Sequence, residues 1–242
     1  LLTQFLSLFN LSPLETDAIR LSLSVAFNAV LWSLPPAIFV AWILSRKTFY
    51  GKSLVSGIIH LPLVLPPVVI GYLLLVGMGR NGFIGQYLYQ WFGVSFGFSW
   101  KGAVLASAVV AFPLVVRAIR LSLESIDIRL ERAAQTLGAS PSRVFFTITF
   151  PLSLPGVLAG LILGFARSLG EFGATITFVS NIAGETQTIP LAMYSFIQTP
   201  GAEAQTARLC LFAIILSFIS LLASEWLGKC MQKQLGQGNV AN

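Results

Sequence analysis

The hydrophobic positions of this chain come in long runs separated by short polar stretches. Apolar residues dominate from about Ala18 to Ser45, Lys52 to Met78, Gly102 to Leu121, Phe150 to Phe165 or beyond, and Ala207 to Leu227. These runs approach or exceed the roughly 20 residues a helix needs to cross a bilayer. A transmembrane barrel would instead show segments of about ten residues with alternating polarity, and the chain shows none. The pattern predicts an all-α, polytopic transmembrane helical bundle of five spans. The stretch from Gly170 to Thr206 is expected outside or partly re-entrant, because its apolar run Thr175 to Val179 is too short to cross. A sixth span there is the alternative.

The runs are not uniform. The second is predicted as one span, yet Pro62, Pro66 and Pro67 fall near its middle. Pro35 and Pro36 interrupt the first run and Pro113 the third. Each proline removes a backbone hydrogen bond and bends the helix. Broken backbone at membrane depth is tolerated only against protein or a water-filled cavity. A single proline is equally well a static kink, but the cluster in the second run points to a hinge or pathway-lining element, with Pro66 and Pro67 as its candidates. In the fourth run Gly156, Gly160 and Gly164 repeat every four residues. Such a smooth face lets another helix approach closely, and it serves a contact within the chain or between two copies equally well.

Composition agrees with the pattern. Of 242 residues, 55% are hydrophobic and 10% charged, against about a quarter charged in soluble domains. The net charge of +6 is carried beside the spans, where it sets topology rather than binding nucleic acid. Arg46, Lys47 and Lys52 flank one loop; Arg117, Arg120, Arg129, Arg132 and Arg143 lie on or near a second polar segment; Lys229 and Lys233 follow the last run. This side holds ten of the 15 Lys and Arg and is expected to be cytoplasmic, with the N-terminus outside and the C-terminus inside. Leu1 to Asn10 lacks a basic start and is too short to span, so the first span is expected to direct insertion without a cleavable leader. Cys210 and Cys230 are 20 residues apart on the last run, about 30 Å along a helix, and read as unpaired residues in helix contacts.

Most catalytic signals are absent. Tyr50 to Ser53 reads YGKS, but a phosphate-binding loop needs glycine where Arg46 stands, so no nucleotide site is expected in the chain. His60 is the sole histidine, which leaves a histidine-and-cysteine metal site implausible; no HExxH or GxSxG occurs. An intramembrane enzyme would need clustered acids, and the available set, Glu124, Asp127 and Glu131, is interleaved with arginine. Arg167 and Glu171 stand four apart and would share a helix face. Ionisable groups at that depth are costly and face the interior. Arg167, Ser168 and Glu171 are therefore candidates to line or gate an anion path; a structural ion pair at the outer interface is the alternative.

The polar segment from Ile126 to Pro151 has its own pattern. Arg129 to Leu137 forms helix readily and meets Gly138, a fitting residue just past a helix end. Ser140 can cap a second helix with Pro141 in its first position. Ala133, Ala134 and Gly138 make a low-relief surface. It suits either a groove on another protein or the lipid surface.

This segment resembles the "EAA" coupling loop of permease subunits in binding-protein-dependent ABC importers. The family spacing holds across Arg132-Ala133-Ala134, Gly138, Ile148 and Phe150-Pro151. Arg132 stands where glutamate is commonest, with Glu131 just before it, and Phe150 replaces leucine. Leu61 to Gln86, Phe112 to Asp127 and Ala166 to Tyr194 are similar to the molybdate branch of that family. Sulfate and thiosulfate permeases are near relatives, and GRNGFIGQ from Gly79 to Gln86 favours molybdate. The resemblance implies a single permease domain of the type I importer (MetI-like) class over 1–242, with the coupling loop at about 122–150. It implies transport of molybdate, with tungstate a second candidate, into the cytoplasm of a bacterium across its inner membrane. The chain would be no enzyme and hold no cofactor, ATP being bound by a partner. The implied partners are a dimer of ATPase subunits, a periplasmic or extracellular molybdate-binding protein and a second copy of the chain. Glu131, Arg132, Ala133, Ala134, Leu137, Gly138 and Ala139 would meet the ATPase.

Overall fold

The structure, a computed structural model, describes residues 11–234. The reading of Leu1 to Asn10 as lacking a leader lies outside the described residues. Helix α1 (Pro13–Arg46) starts where the sequence can satisfy its first N–H groups. Ser12 Oγ accepts from Glu15 N at 3.3 Å, and the Glu15 carboxylate accepts from Ser12 N at 2.7 Å, a reciprocal capping box. Pro13 sits in the first turn, where a missing N–H costs nothing. Pro35 and Pro36 lie inside α1 without ending it.

The second apolar run is not one straight span. It forms α2 (Lys52–His60), a 3-10 turn (Leu61–Leu63) and α3 (Pro67–Met78), and the two halves are bent by 108°. Pro67 pushes the residue before it out of helical backbone, and Pro66 is indeed extended, with φ −56° and ψ 132°. A short α4 (Gly85–Phe92) leads to α5 (Trp100–Ser125). Next come α6 (Ile128–Thr136) and α7 (Pro141–Leu169). Residues Phe145–Thr149 of α7 are wound as a π-helix. After α8 (Gly173–Val179) and α9 (Ile189–Ile197) comes α10 (Glu203–Gln234). By length and apolarity four helices can cross a membrane, or five if the bent pair is one span. The segment expected outside or re-entrant holds α8 and α9, of 7 and 9 residues, and the first turn of α10. Neither α8 nor α9 is long enough to cross, so it contains no sixth span.

Helices α1, α5 and α7 form the centre. Ala37, Ala41 and Leu44 of α1, Val115, Val116, Ile119 and Leu123 of α5 and Val157 of α7 share one buried cluster. A second cluster joins Val25 of α1, Ile70 of α3, Ala103, Ala106 and Val110 of α5 and Phe178 of α8. The glycine face of α7 is used within the chain. A Cβ on Gly160 would lie 3.2 Å from Val115 O, and one on Gly164 would lie 2.7 Å from Val115 Cγ2 and 3.3 Å from Val30 Cγ2. At Gly156 it would meet the Ser122 side chain and stand 2.8 Å from Ala118 O. These glycines seat α7 against α5 and α1.

A buried ion pair that the sequence pattern does not reveal closes the bundle. Arg208 of α10 donates to both oxygens of Glu15, at 2.7 and 3.0 Å, and the Glu15 side chain is fully buried. This two-pronged geometry fixes orientation as well as distance. The loop between α8 and α9 is held to the bundle by polar contacts. Asn181 donates to Leu191 O and Ser195 Oγ, and Ser22 on α1 accepts from Ile189 N at 2.7 Å.

Candidate functional site

Helix α6 is a small unit built by its caps. Asp127 Oδ1 accepts from Arg129 N at 2.9 Å at its start. At its end Gly138 takes φ +87°, a conformation that costs glycine little. Gly138 N donates to Gln135 O and Ala139 N to Ala134 O, at 3.0 and 3.1 Å; this double bond pattern satisfies the last carbonyls. Ser140 then accepts from Arg143 N and α7 begins at Pro141. The polar segment is thus helix, glycine turn, helix.

The two faces of α6 differ. Glu131 is turned inward, its side chain 12% exposed. Its Oε1 accepts from Arg46 Nη2 at 2.7 Å, from Arg46 Nε at 2.9 Å and from Thr149 Oγ1 at 3.0 Å. Arg46 also reaches Ile126 O at 3.5 Å. One carboxylate therefore ties α6 to the last residue of α1 and the π-helical stretch of α7, and through Arg46 to the end of α5. Glu131, expected among the residues that meet a partner, spends Oε1 on contacts inside the chain and so anchors α6. Arg132, Ala133, Leu137 and Gly138 are exposed, and Ala134 and Ala139 half-buried. Leu137 stands at the tip, 89% exposed, with Ile128 and Leu130 also uncovered.

The second cluster joins the end of α7 to the break between α2 and α3. Arg167 Nη1 pairs with Glu171 Oε2 at 2.9 Å. The two do not share a helix face, since α7 ends at Leu169 and Glu171 lies beyond Gly170. The other Glu171 oxygen accepts from Ala174 N, at 2.8 Å, in the first turn of α8. Glu171 thus both neutralises Arg167 and caps α8. Ser168 is 5% exposed, and its buried Oγ has no partner among the described residues. Pro67 lies alongside, for a Cβ on Gly173 would stand 2.9 Å from Pro67 Cβ. Helix α8 also touches α3 closely, with Gly71 facing Ala174 O. The structure therefore joins Arg167 to Glu171 and sets Gly173, two residues further on, against Pro67, while the α6 group stands apart from them.

Arg46 and Thr149 escaped the sequence reading. Arg46 counted there only as a topology charge, and no periodicity links it to Glu131, 85 residues on. The usable signal was a charge at the very end of a span opposite an acid in the polar segment.

Residues 20–233 match the family described as "Binding-protein-dependent transport system inner membrane component". The "Molybdenum transport system permease protein ModB" of Haemophilus influenzae is 86% identical over 229 residues, 95% of this chain and 100% of that one. Its namesake from Escherichia coli K12 is 65% identical, over 92% of this chain and 97% of that one. Among solved structures, a bacterial ABC transporter that imports the acidic polysaccharide alginate superposes with a TM-score of 0.71 at 19% identity, covering 94% of this chain and 83% of that one.

Proposed function

The chain belongs to the binding-protein-dependent transport system inner membrane component family, and from that premise we infer that it is the permease subunit of an ABC importer that moves molybdate into the cytoplasm. It is a transport permease of the inner membrane and not an enzyme. One observation carries the substrate: the identity of 86% over 95% of the chain to a protein named for molybdenum transport. An aligned length of 229 of the 242 residues crosses every helix of the fold. ATP is held by a separate ATPase subunit, and this chain needs no cofactor of its own. A periplasmic binding protein delivers the oxyanion, and two copies of the chain enclose the path.

In this reading α6 lies in the cytoplasm, the C-terminus is inside and the N-terminus outside. Leu137, Ala133 and Arg132 enter a groove of the ATPase. When ATP draws the two ATPase subunits together, α6 moves with them. The Glu131–Arg46 contact carries that displacement to α1 and α5, and Thr149 carries it to α7. The bundle shifts between inward-open and outward-open populations, since ATP binding favours one of them. We assign the moving gate to the α2–α3 break and the Arg167–Glu171 clasp.

Uptake of labelled molybdate by the complex reconstituted in proteoliposomes tests the proposal. ATP-dependent uptake, competed by unlabelled molybdate and tungstate more strongly than by sulfate, is the expected result. Equal competition by sulfate would replace molybdate by the wider oxyanion class.

A further inference from the structure

A polar stripe runs along α5 on the side away from its buried contacts with α1 and α7. Arg117, Arg120 and Glu124 recur there at spacings of three and four, which places them on one helix face. Across a cleft of about 410 Å³ stands α2, presenting Ser56, Gly57 and His60. Arg120 donates to Glu124 at 2.7 Å and to Ser56 Oγ at 3.5 Å. His60 Nδ1 donates to Ser56 O at 2.7 Å, so the ring is held against its own helix and its other nitrogen, in the neutral form, is an acceptor. Arg117 is exposed and enters none of the ion pairs among the described residues. With Arg120 balanced by Glu124, the cleft carries one uncompensated positive charge.

An arginine on a membrane span does not face hydrocarbon; it faces protein or a water-filled cavity. Arg117 lies about 12 Å up α5 from its end at Ser125. The opposite wall, α2, is the lower half of the broken span whose upper half meets the Glu171 loop. The cleft and that clasp are therefore the two ends of a single bent element. The cavity has room for a small anion and several waters, each taking about 30 Å³.

We propose that Arg117, with Arg120 and Ser56, forms an oxyanion site at the cytoplasmic end of the path, which a tetrahedral dianion occupies as it leaves. This rests on the proposed importer function. Arg117 supplies the free charge, and Arg120 shares itself between Glu124 and the anion. Glu124 keeps the site weak, as release requires.

The test uses the full complex with its ATPase subunits and binding protein, and reads labelled molybdate taken up per ATP hydrolysed. Arg117→Gln removes the charge. Gly57→Leu fills the cleft, and its backbone permits it because a Cβ there meets nothing within 4 Å. Both are expected to lower uptake per ATP at least fivefold, while ATP hydrolysis stimulated by the loaded binding protein stays within twofold of wild type. Arg117→Lys keeps the charge and is expected to stay within twofold in both readouts. Uptake per ATP within twofold of wild type for Arg117→Gln and Gly57→Leu would overturn the site. So would a parallel loss of hydrolysis and uptake in all three variants, which would make the stripe structural. Wild type in phosphatidylcholine vesicles, with and without phosphatidylglycerol, separates the sources of anion: a fivefold fall on omitting the anionic lipid would assign Arg117 to headgroups instead. Failure of the importer reading is distinguishable, because it shows as absent molybdate uptake in wild type. The variant ratios are then read with whichever oxyanion the complex transports.

Discussion

Arg46 and Glu131, 85 residues apart in the chain, meet at 2.7 Å with both side chains nearly buried, 11% and 12% exposed. The pair joins the end of a membrane span to the short helix that the importer reading makes the handle of the ATPase. Glu131→Gln keeps the shape and removes the charge, leaving Arg46 buried without its counter-ion. Unpairing a buried charge costs on the order of 3 kcal/mol. The expected outcome is a fall in coupled uptake of tenfold or more with assembly of the complex retained. A double-mutant cycle with Arg46→Gln is expected to show strong non-additivity, since both changes break one contact; additive losses would separate the two residues.

Leu137 tests the other face of α6. It is 89% exposed, so Leu137→Ala should leave the permease's thermal midpoint in detergent unchanged. If the residue anchors the ATPase interface, truncation costs about 2 kcal/mol, or roughly 30-fold in affinity. Binding of purified ATPase subunit to the permease measures it. Arg132→Glu, also on the exposed face, reverses a charge that the importer reading puts in the ATPase groove, so it is expected to weaken ATPase binding and lower uptake; unaltered uptake would show that the residue is merely tolerated there.

The Glu15–Arg208 pair predicts a stability effect without a transport signature of its own. Arg208→Ala leaves a fully buried carboxylate unpaired, and the expected loss is about 3 to 5 kcal/mol. Glu15→Gln combined with Arg208→Met is expected to recover much of it, because no buried charge remains. Unfolding in detergent, followed by tryptophan fluorescence, gives the comparison. Equal losses for the single and double variants would mean that the bidentate contact itself supplies the stability.

The glycine face makes a third kind of prediction. Gly164→Val places its Cβ against Val115 and Val30, and overfilling such a contact typically costs about 1 to 3 kcal/mol. A lowered thermal midpoint in the isolated permease is expected. An unchanged monomer with weakened self-association would move this face to a contact between copies.

The spans were legible because apolar runs need only counting. So were the caps of α6, since Gly138 and Ser140-Pro141 act through local backbone geometry. What stayed hidden is long-range pairing. Glu15 and Arg208 lie 193 residues apart, and a lone sequence holds no term that couples them. The inward contacts of Glu131 were hidden for a related reason. In a helix of nine residues every position is close to the surface, and only the placement of Arg46 and Thr149 decides which way the carboxylate turns. Arg167 and Glu171 were paired correctly for the wrong reason. The spacing of four suggested one helix, whereas Gly170 ends the helix and the ion pair closes around that end.

The break in the second span carries the last prediction. Pro66 and Pro67 interrupt helical backbone by sterics and by a missing N–H, and each proline in a helix interior costs about 3 kcal/mol relative to alanine. Replacing both with alanine lets α2 and α3 approach one continuous helix. The bend of 108° should then open, and the Pro67 contact with the Glu171 loop is lost. Leu54 and Tyr72, both exposed on the two halves, give positions for spin labels. Their separation should rise towards the roughly 27 Å of a straight helix of that length. Uptake is expected to fall about tenfold, because the Glu171 loop, which the importer reading makes the gate, loses the surface it rests on, while secondary structure is kept or gained. If the labels keep their wild-type separation, contacts with α8 rather than the two prolines hold the bend, and α8 becomes the part whose motion opens the path.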